Sequence, residues 1–100
     1  GNIVGRRGFS ALWFPEERWV LVYWDDVAMV LVDRTTADPA LLERFSYRIV
    51  RPDDAEELLA RIAADPSIRP LAAAELARKL AEQPDCERAL TLSEQLLANR

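Results

Sequence analysis

An α+β fold is what this sequence predicts, with a short, mainly antiparallel sheet built around a β-hairpin and packed on a C-terminal layer of three helices. Three observations carry that prediction. In Trp19-Val-Leu-Val-Tyr-Trp-Asp-Asp-Val-Ala-Met-Val-Leu-Val-Asp-Arg34, two β-branched and aromatic runs flank Asp25-Asp26, and polar residues close both outer ends. That is the pattern of a hairpin. From Asp53 onward the apolar residues recur with the period of a helix instead. Pro66, Pro70 and Pro84 then cut the second half into short helical pieces whose brief connections favour antiparallel neighbours. The chain therefore divides into a β-rich part, 1–52, holding the hairpin 19–33, and a three-helix part, 53–100, within one compact domain.

Taken in order, residues 9–14 (FSALWF) read as a first strand, stopped by Pro15. Strands at 19–24 and 27–33 follow. Asp25-Asp26 sits at the tip, although tight two-residue loops favour a glycine there, so a slightly longer loop fits equally well. Asp38-Pro39 opens a short helix to about Arg44, because Asp accepts from free amides and Pro fits the first helical position. Tyr47-Arg-Ile-Val50 reads as a further short strand, ended by Pro52. Asp53-Asp-Ala-Glu56 is an acidic start for the next helix, with Leu58, Leu59, Ile62 and Ala63 on one stripe. The second stripe is Ala73, Leu76, Ala77 and Leu80, and the third is Ala89, Leu90, Ser93, Leu96 and Leu97.

The hairpin has no polar face. Half-exposed strands alternate apolar and polar residues, yet Trp19, Leu21 and Tyr23 oppose Val20, Val22 and Trp24. One helical layer covers one face only. The other face needs the N-terminal segment, a second copy of the chain, or a larger parent protein. This predicts a protein partner or self-association, as a homodimer, with Trp13, Trp19, Tyr23 and Trp24 as interface residues.

Composition excludes more than it identifies. Of 100 residues, 50% are hydrophobic and the net charge is −4, so the chain folds and carries no basic surface for nucleic acid. Residues 1–52 hold seven acids and seven arginines, so the acidic excess lies in the second half. Histidine is absent, which removes the usual base near neutral pH and the commonest metal ligand. A single cysteine, Cys86, makes neither an internal disulfide nor a zinc site. Twelve of the thirteen basic residues are Arg and only Lys79 is Lys. No run approaches the roughly 20 apolar residues of a membrane span. Gly1-Asn2 opens without Met, which reads as a piece cut from a longer chain.

Two resemblances emerge from these residues. In the segment 76–90, Leu76, Leu80, Pro84, Ala89 and Leu90 sit where a tetratricopeptide (TPR) repeat places its Leu, its helix-ending Pro and its Ala-Leu. Lys79 and Glu94 stand where such repeats have small residues, so the layer is TPR-like at most as a terminal pair. More specifically, the string W-x-L-V-Y-x-D-D-x-A-x-V-x-V-x-R, followed by an extended segment ending in Pro52, resembles the soluble C-terminal region of bacterial mannosyltransferase-like multi-pass membrane proteins. Trp19, Leu21, Val22, Tyr23, Asp25, Asp26, Ala28, Val30, Val32 and Arg34 carry that resemblance, while Asp33 stands where a basic residue is expected. The resemblance implies an extracytoplasmic location, with the membrane reached only through segments outside this chain. A cytoplasmic protein is the alternative. Catalytic residues of such a family would lie elsewhere, and none transfers to this chain.

The chemistry-bearing residues read mostly as structural. Asp25-Asp26 could serve as an acid pair or metal site, but solvated Asp belongs at a hairpin tip and no third ligand accompanies it. Trp13, Phe14, Trp19, Tyr23 and Trp24 could form a sugar platform, but aromatics also supply core and interface burial. Arg6, Arg7, Arg44, Arg48 and Arg51 could grip phosphate or lipid head groups, but neighbouring acids make a solvated surface the plainer reading for the last three. Cys86, just after Asp85, lacks a base. The expectation is a non-catalytic accessory or protein-interaction domain without a cofactor or metal. A soluble TPR-like adaptor and a glycosyltransferase-associated sugar-binding module are the alternatives.

Overall fold

The structure, a computed structural model, describes residues 15–99. Its elements are β1 (Trp19–Trp24), β2 (Met29–Asp33), α1 (Pro39–Phe45), α2 (Ala55–Ala64), a 3-10 turn (Pro66–Ile68), α3 (Arg69–Glu82) and α4 (Glu87–Ala98). The α+β class is as predicted: β1 and β2 form a two-stranded antiparallel sheet, and the helices make up most of the rest. The expected first strand at 9–14 lies outside the described residues.

A β-bulge answers the question posed by the doubly apolar hairpin. Leu21 pairs with Leu31 and Tyr23 with Val30, so Val22 is an extra residue on β1. The insertion re-phases the strand, because one added residue reverses which side each later side chain faces. Leu21 and Trp24, which strict alternation would send to opposite faces, are both fully buried in one cluster. Val20 is buried outside that cluster, and Trp19, Val22 and Tyr23 are half-buried.

Aspartate caps open two of the four helices and the 3-10 turn. Asp38 accepts from the Ala40 amide ahead of α1. The cap of α2 is Asp54 rather than Asp53, and its carboxylate accepts from the Glu57 amide. Asp65 both ends α2 and caps the 3-10 turn through the Ser67 amide. Arg69, at the start of α3, donates to the Leu96 carbonyl at 2.7 Å and to the Asn99 carbonyl. The start of α3 therefore lies at the end of α4, and the two run antiparallel, as the short Pro-marked break implies. The core joins the hairpin residues Leu21 and Trp24 to Tyr47, Ile49, Val50, Leu58, Ile62, Ala72, Leu76, Cys86, Ala89, Leu92 and Leu96.

Three expectations need correction. Residues 47–50 do not form a strand. Tyr47 makes one isolated bridge to Leu21, with its N–H on the Leu21 carbonyl at 2.7 Å. The next three amides turn away to the carboxylate of Glu75, with N···O distances of 2.8 Å from Arg48, 3.1 Å from Ile49 and 2.9 Å from Val50. A side chain has replaced the neighbouring strand as acceptor. On α4, Leu90 and Leu97 are exposed, and Leu97 keeps 60% of its surface, while Cys86, Ala89, Leu92 and Leu96 face inward. On α3, Ala73 and Ala77 are exposed, while Ala72, Leu76 and Lys79 are buried. Both misplacements share a cause. These helices hold more Leu and Ala than one face accommodates, so several adjacent stripes fit the same text.

Candidate functional site

The two aspartates at the hairpin tip are consumed by backbone. The Oδ1 of Asp25 accepts from the amides of Val27 at 2.9 Å and Ala28 at 2.8 Å, closing the loop between the strands. Its Oδ2 accepts the Tyr23 hydroxyl at 2.8 Å. These donors hold the Asp25 carboxyl below its ordinary pKa, with the Val27 amide first, and donation to Asp25 raises the Tyr23 hydroxyl above its own. Asp26 reaches across the fold to α4. It accepts from the Arg88 amide at 2.8 Å, the Glu87 amide at 3.2 Å and the Cys86 thiol at 3.4 Å. Cys86 occupies the cap position of α4 without a side-chain hydrogen bond of its own to the helix amides. A residue some sixty positions earlier thus does the capping. The amides of Arg88 and Glu87 lower the Asp26 pKa, the expected effect of a helix N-terminus on a carboxylate.

Cys86 itself is buried, and burial pushes its thiol pKa up. A helix start favours thiolate, and the Ala89 amide acts in that direction, but burial outweighs it and the Asp26 carboxylate beside the thiol opposes a second negative charge. Nothing in this arrangement generates a nucleophile.

Next to the tip, α3 presents a polar face inward. Gln83 donates to the Tyr23 hydroxyl at 3.0 Å. Lys79 is fully buried, and its Nζ has no hydrogen-bond partner among the described residues. It lies 4.1 Å from the ring centre of Tyr23, 5.4 Å from Trp24 and 6.0 Å from Tyr47, so aromatic faces surround the ammonium. The adjacent Arg78 stacks on Tyr47 at 3.8 Å and donates to the carbonyls of Phe45 and Ser46, tying down the end of α1. Glu75, Arg78, Lys79 and Gln83 therefore form the clamp that holds the 45–50 segment and the hairpin against α3. Sequence reasoning missed all four. Their spacing of three and four residues was the available signal, but it looked like an ordinary solvated stripe.

The expected interface residues scatter. Trp24 has 0% exposure and packs edge-on against Tyr47 with centroids 5.8 Å apart, so it offers a partner no surface. That corrects the expectation for Trp24 and also removes it from any sugar platform. Trp19 and Tyr23 are half-buried, and Arg18 lies over the Trp19 ring at 5.9 Å. Trp13, Phe14, Arg6 and Arg7 lie outside the described residues. Among the remaining arginines, Arg44 and Arg48 are exposed, but Arg51 retains only 7% of its surface and is no solvated residue. It stands between two clefts of about 360 Å³ each.

Among the described residues, no group of three or more His, Cys, Asp or Glu is placed to hold a metal ion, and no helix is long and apolar enough to cross a membrane. No protein-family model, curated protein or solved structure matches this chain.

Proposed function

We propose that this chain is a non-catalytic interaction domain of a larger, membrane-anchored bacterial protein, and that it self-associates through the outer edge of β2. The observation that supports this most directly is the edge itself. β1 is flanked on one side by β2 and touched on the other by Tyr47, whereas β2 pairs with no second strand among the described residues. Its residues Met29-Val-Leu-Val32 are apolar, Asp33 closes the strand, and Val30 is exposed. Val27 beside it keeps 88% of its surface. An unpaired edge strand offers free N–H and C=O groups for strand addition. An antiparallel edge meeting its own copy about a twofold axis is self-complementary, which makes a second copy the favoured occupant. The non-catalytic reading rests on Asp25, Asp26 and Cys86, whose reactive atoms are engaged in holding the fold. Membrane anchorage and an extracytoplasmic location rest on the resemblance carried by the Trp19 to Arg34 string.

Sedimentation equilibrium across micromolar concentrations tests the reading. A monomer–dimer equilibrium is expected, and Val30→Lys should shift it to monomer with unchanged helical circular dichroism. A strictly monomeric species throughout, or a dimer indifferent to Val30→Lys, overturns the β2 edge as the contact. Metal-dependent turnover abolished by Asp26→Ala would overturn the non-catalytic reading.

A further inference from the structure

The two clefts beside Arg51 differ in charge. One lies between β1, α1 and the 46–51 segment, with walls that include Trp19, Val20, Leu42 and Tyr47. Its charged lining is Arg34, Arg48, Arg51 and Glu16. That is a net charge of two positive in a chain whose total is −4. The neighbouring cleft shares Arg51 and Glu16 but adds Glu17, Asp54, Glu57 and Arg61, which makes it negative overall. An anion is therefore directed to one side of Arg51 and repelled from the other.

The guanidinium groups in the positive cleft are poorly neutralised. Arg34 donates to the backbone carbonyl of Glu16 at 3.0 Å, an uncharged acceptor. Arg48 has no carboxylate partner among the described residues, because the Glu75 contact comes from its backbone amide. Arg51 meets Glu16 only at 3.5 Å through Nε, and the same carboxylate oxygen is shared with Arg61 at 3.5 Å. The Arg51 side chain is more than nine-tenths buried, yet its Nη1 has no hydrogen-bond partner among the described residues. Buried guanidinium donors are normally satisfied. That donor belongs to a side chain that lines both clefts, so a shift of Arg51 toward the positive one would give it an oxyanion partner.

We propose that this cleft binds a phosphate monoester, gripped by Arg34, Arg48 and Arg51. A monoester carries close to two negative charges at neutral pH, which matches the net lining, whereas a single carboxylate neutralises half of it. Planar guanidinium groups suit the tetrahedral oxygens through paired N–H donors. The volume is at the small end for ligand sites, enough for the phosphoryl head and a few carbons. On binding, the phosphate draws Arg51 off its long contact with Glu16 and fills the vacant donor.

The test uses glycerol 3-phosphate at constant ionic strength, followed by amide NMR signals of Val20, Tyr47 and Arg48. Saturable shifts with a midpoint of about 1 mM are expected, and Arg34→Gln combined with Arg48→Gln should weaken binding at least about tenfold. Both side chains are exposed or peripheral to the core, so the double variant keeps the fold. Arg51→Met then probes the buried member, with its circular dichroism as the folding control. Phosphatidylcholine vesicles containing phosphatidate form a second arm. Binding there without a response to glycerol 3-phosphate identifies the monoester as a lipid head group, and the reverse identifies a free metabolite. Absence of a saturable response in both arms, equal binding of succinate, or an unchanged midpoint in the double variant overturns the proposal.

Discussion

The carboxylate of Glu75 accepts the amide of Val50 at 2.9 Å, across 25 residues of sequence. The same side chain takes the amides of Arg48 and Ile49. One residue of α3 thereby supplies the acceptors that a neighbouring strand would otherwise supply to 48–50. Hydrogen bonds to an ionised acceptor are stronger than neutral ones, and Ile49 and Val50 are buried, where an orphaned amide is costly.

Glu75→Ala should therefore destabilise the fold by about 2–4 kcal/mol, since it leaves up to three amides unmatched. Glu75→Gln should cost less, because one acceptor oxygen remains, although the charge and the second acceptor are lost. Urea unfolding with both variants reads the order. A Gln variant at least as damaging as the Ala variant would contradict the account.

Lys79 predicts a different pattern. Its ammonium is desolvated among Tyr23, Trp24 and Tyr47 without a hydrogen bond among the described residues. Ring faces return only part of the desolvation cost. Lys79→Met, which is one atom shorter and drops the charge, should be neutral or stabilising by about 1 kcal/mol. Lys79→Ala should cost about 2–4 kcal/mol through the cavity it opens. Thermal unfolding separates the two. A Met variant as unstable as the Ala variant would show that the ammonium–ring attraction outweighs desolvation.

Acid stability should depend on Asp33. Thr35, through its hydroxyl and amide, and then Arg18 lower its pKa from 3.8 to about 2. A carboxyl with a depressed folded pKa contributes stability that is complete above its unfolded value and disappears as pH falls through the folded one. The contribution should thus be present above about pH 4 and lost toward about pH 2. Asp25 and Asp26, also lowered, act in the same direction. Asp33→Asn should be less stable than the parent at pH 6, with the gap closing as pH drops toward 2. A gap that stays constant across that window would exclude Asp33 as the source.

The helical register is open to a direct comparison. Leu76 is buried and Leu97 is exposed. Leu76→Ala should cost about 2–5 kcal/mol, and Leu97→Ala should stay within about 0.5 kcal/mol. Equal effects in urea would mean that α4 presents another face to the core.

The local sequence alone determined the hairpin, the breaks between helices and the Asp38 cap. Alternation, turn chemistry and the Asp-Pro pair at 38–39 act over a few residues, so they can be read without the rest of the chain. Leu58, Ile62 and Leu76 were legible as core because a helical period recurs on their face. What the sequence could not decide were the choices between competing partners. Val22 becomes a bulge because both Leu21 and Trp24 reach one cluster, and no local rule ranks that against strict alternation. Residues 48–50 give up a strand ladder because a carboxylate on a helix two elements away outcompetes it. Asp26 becomes a helix cap, and Arg51 a buried cation between clefts of opposite charge, only once distant segments meet. Their roles depend on burial and on the charges brought beside them, and burial belongs to the assembled tertiary structure.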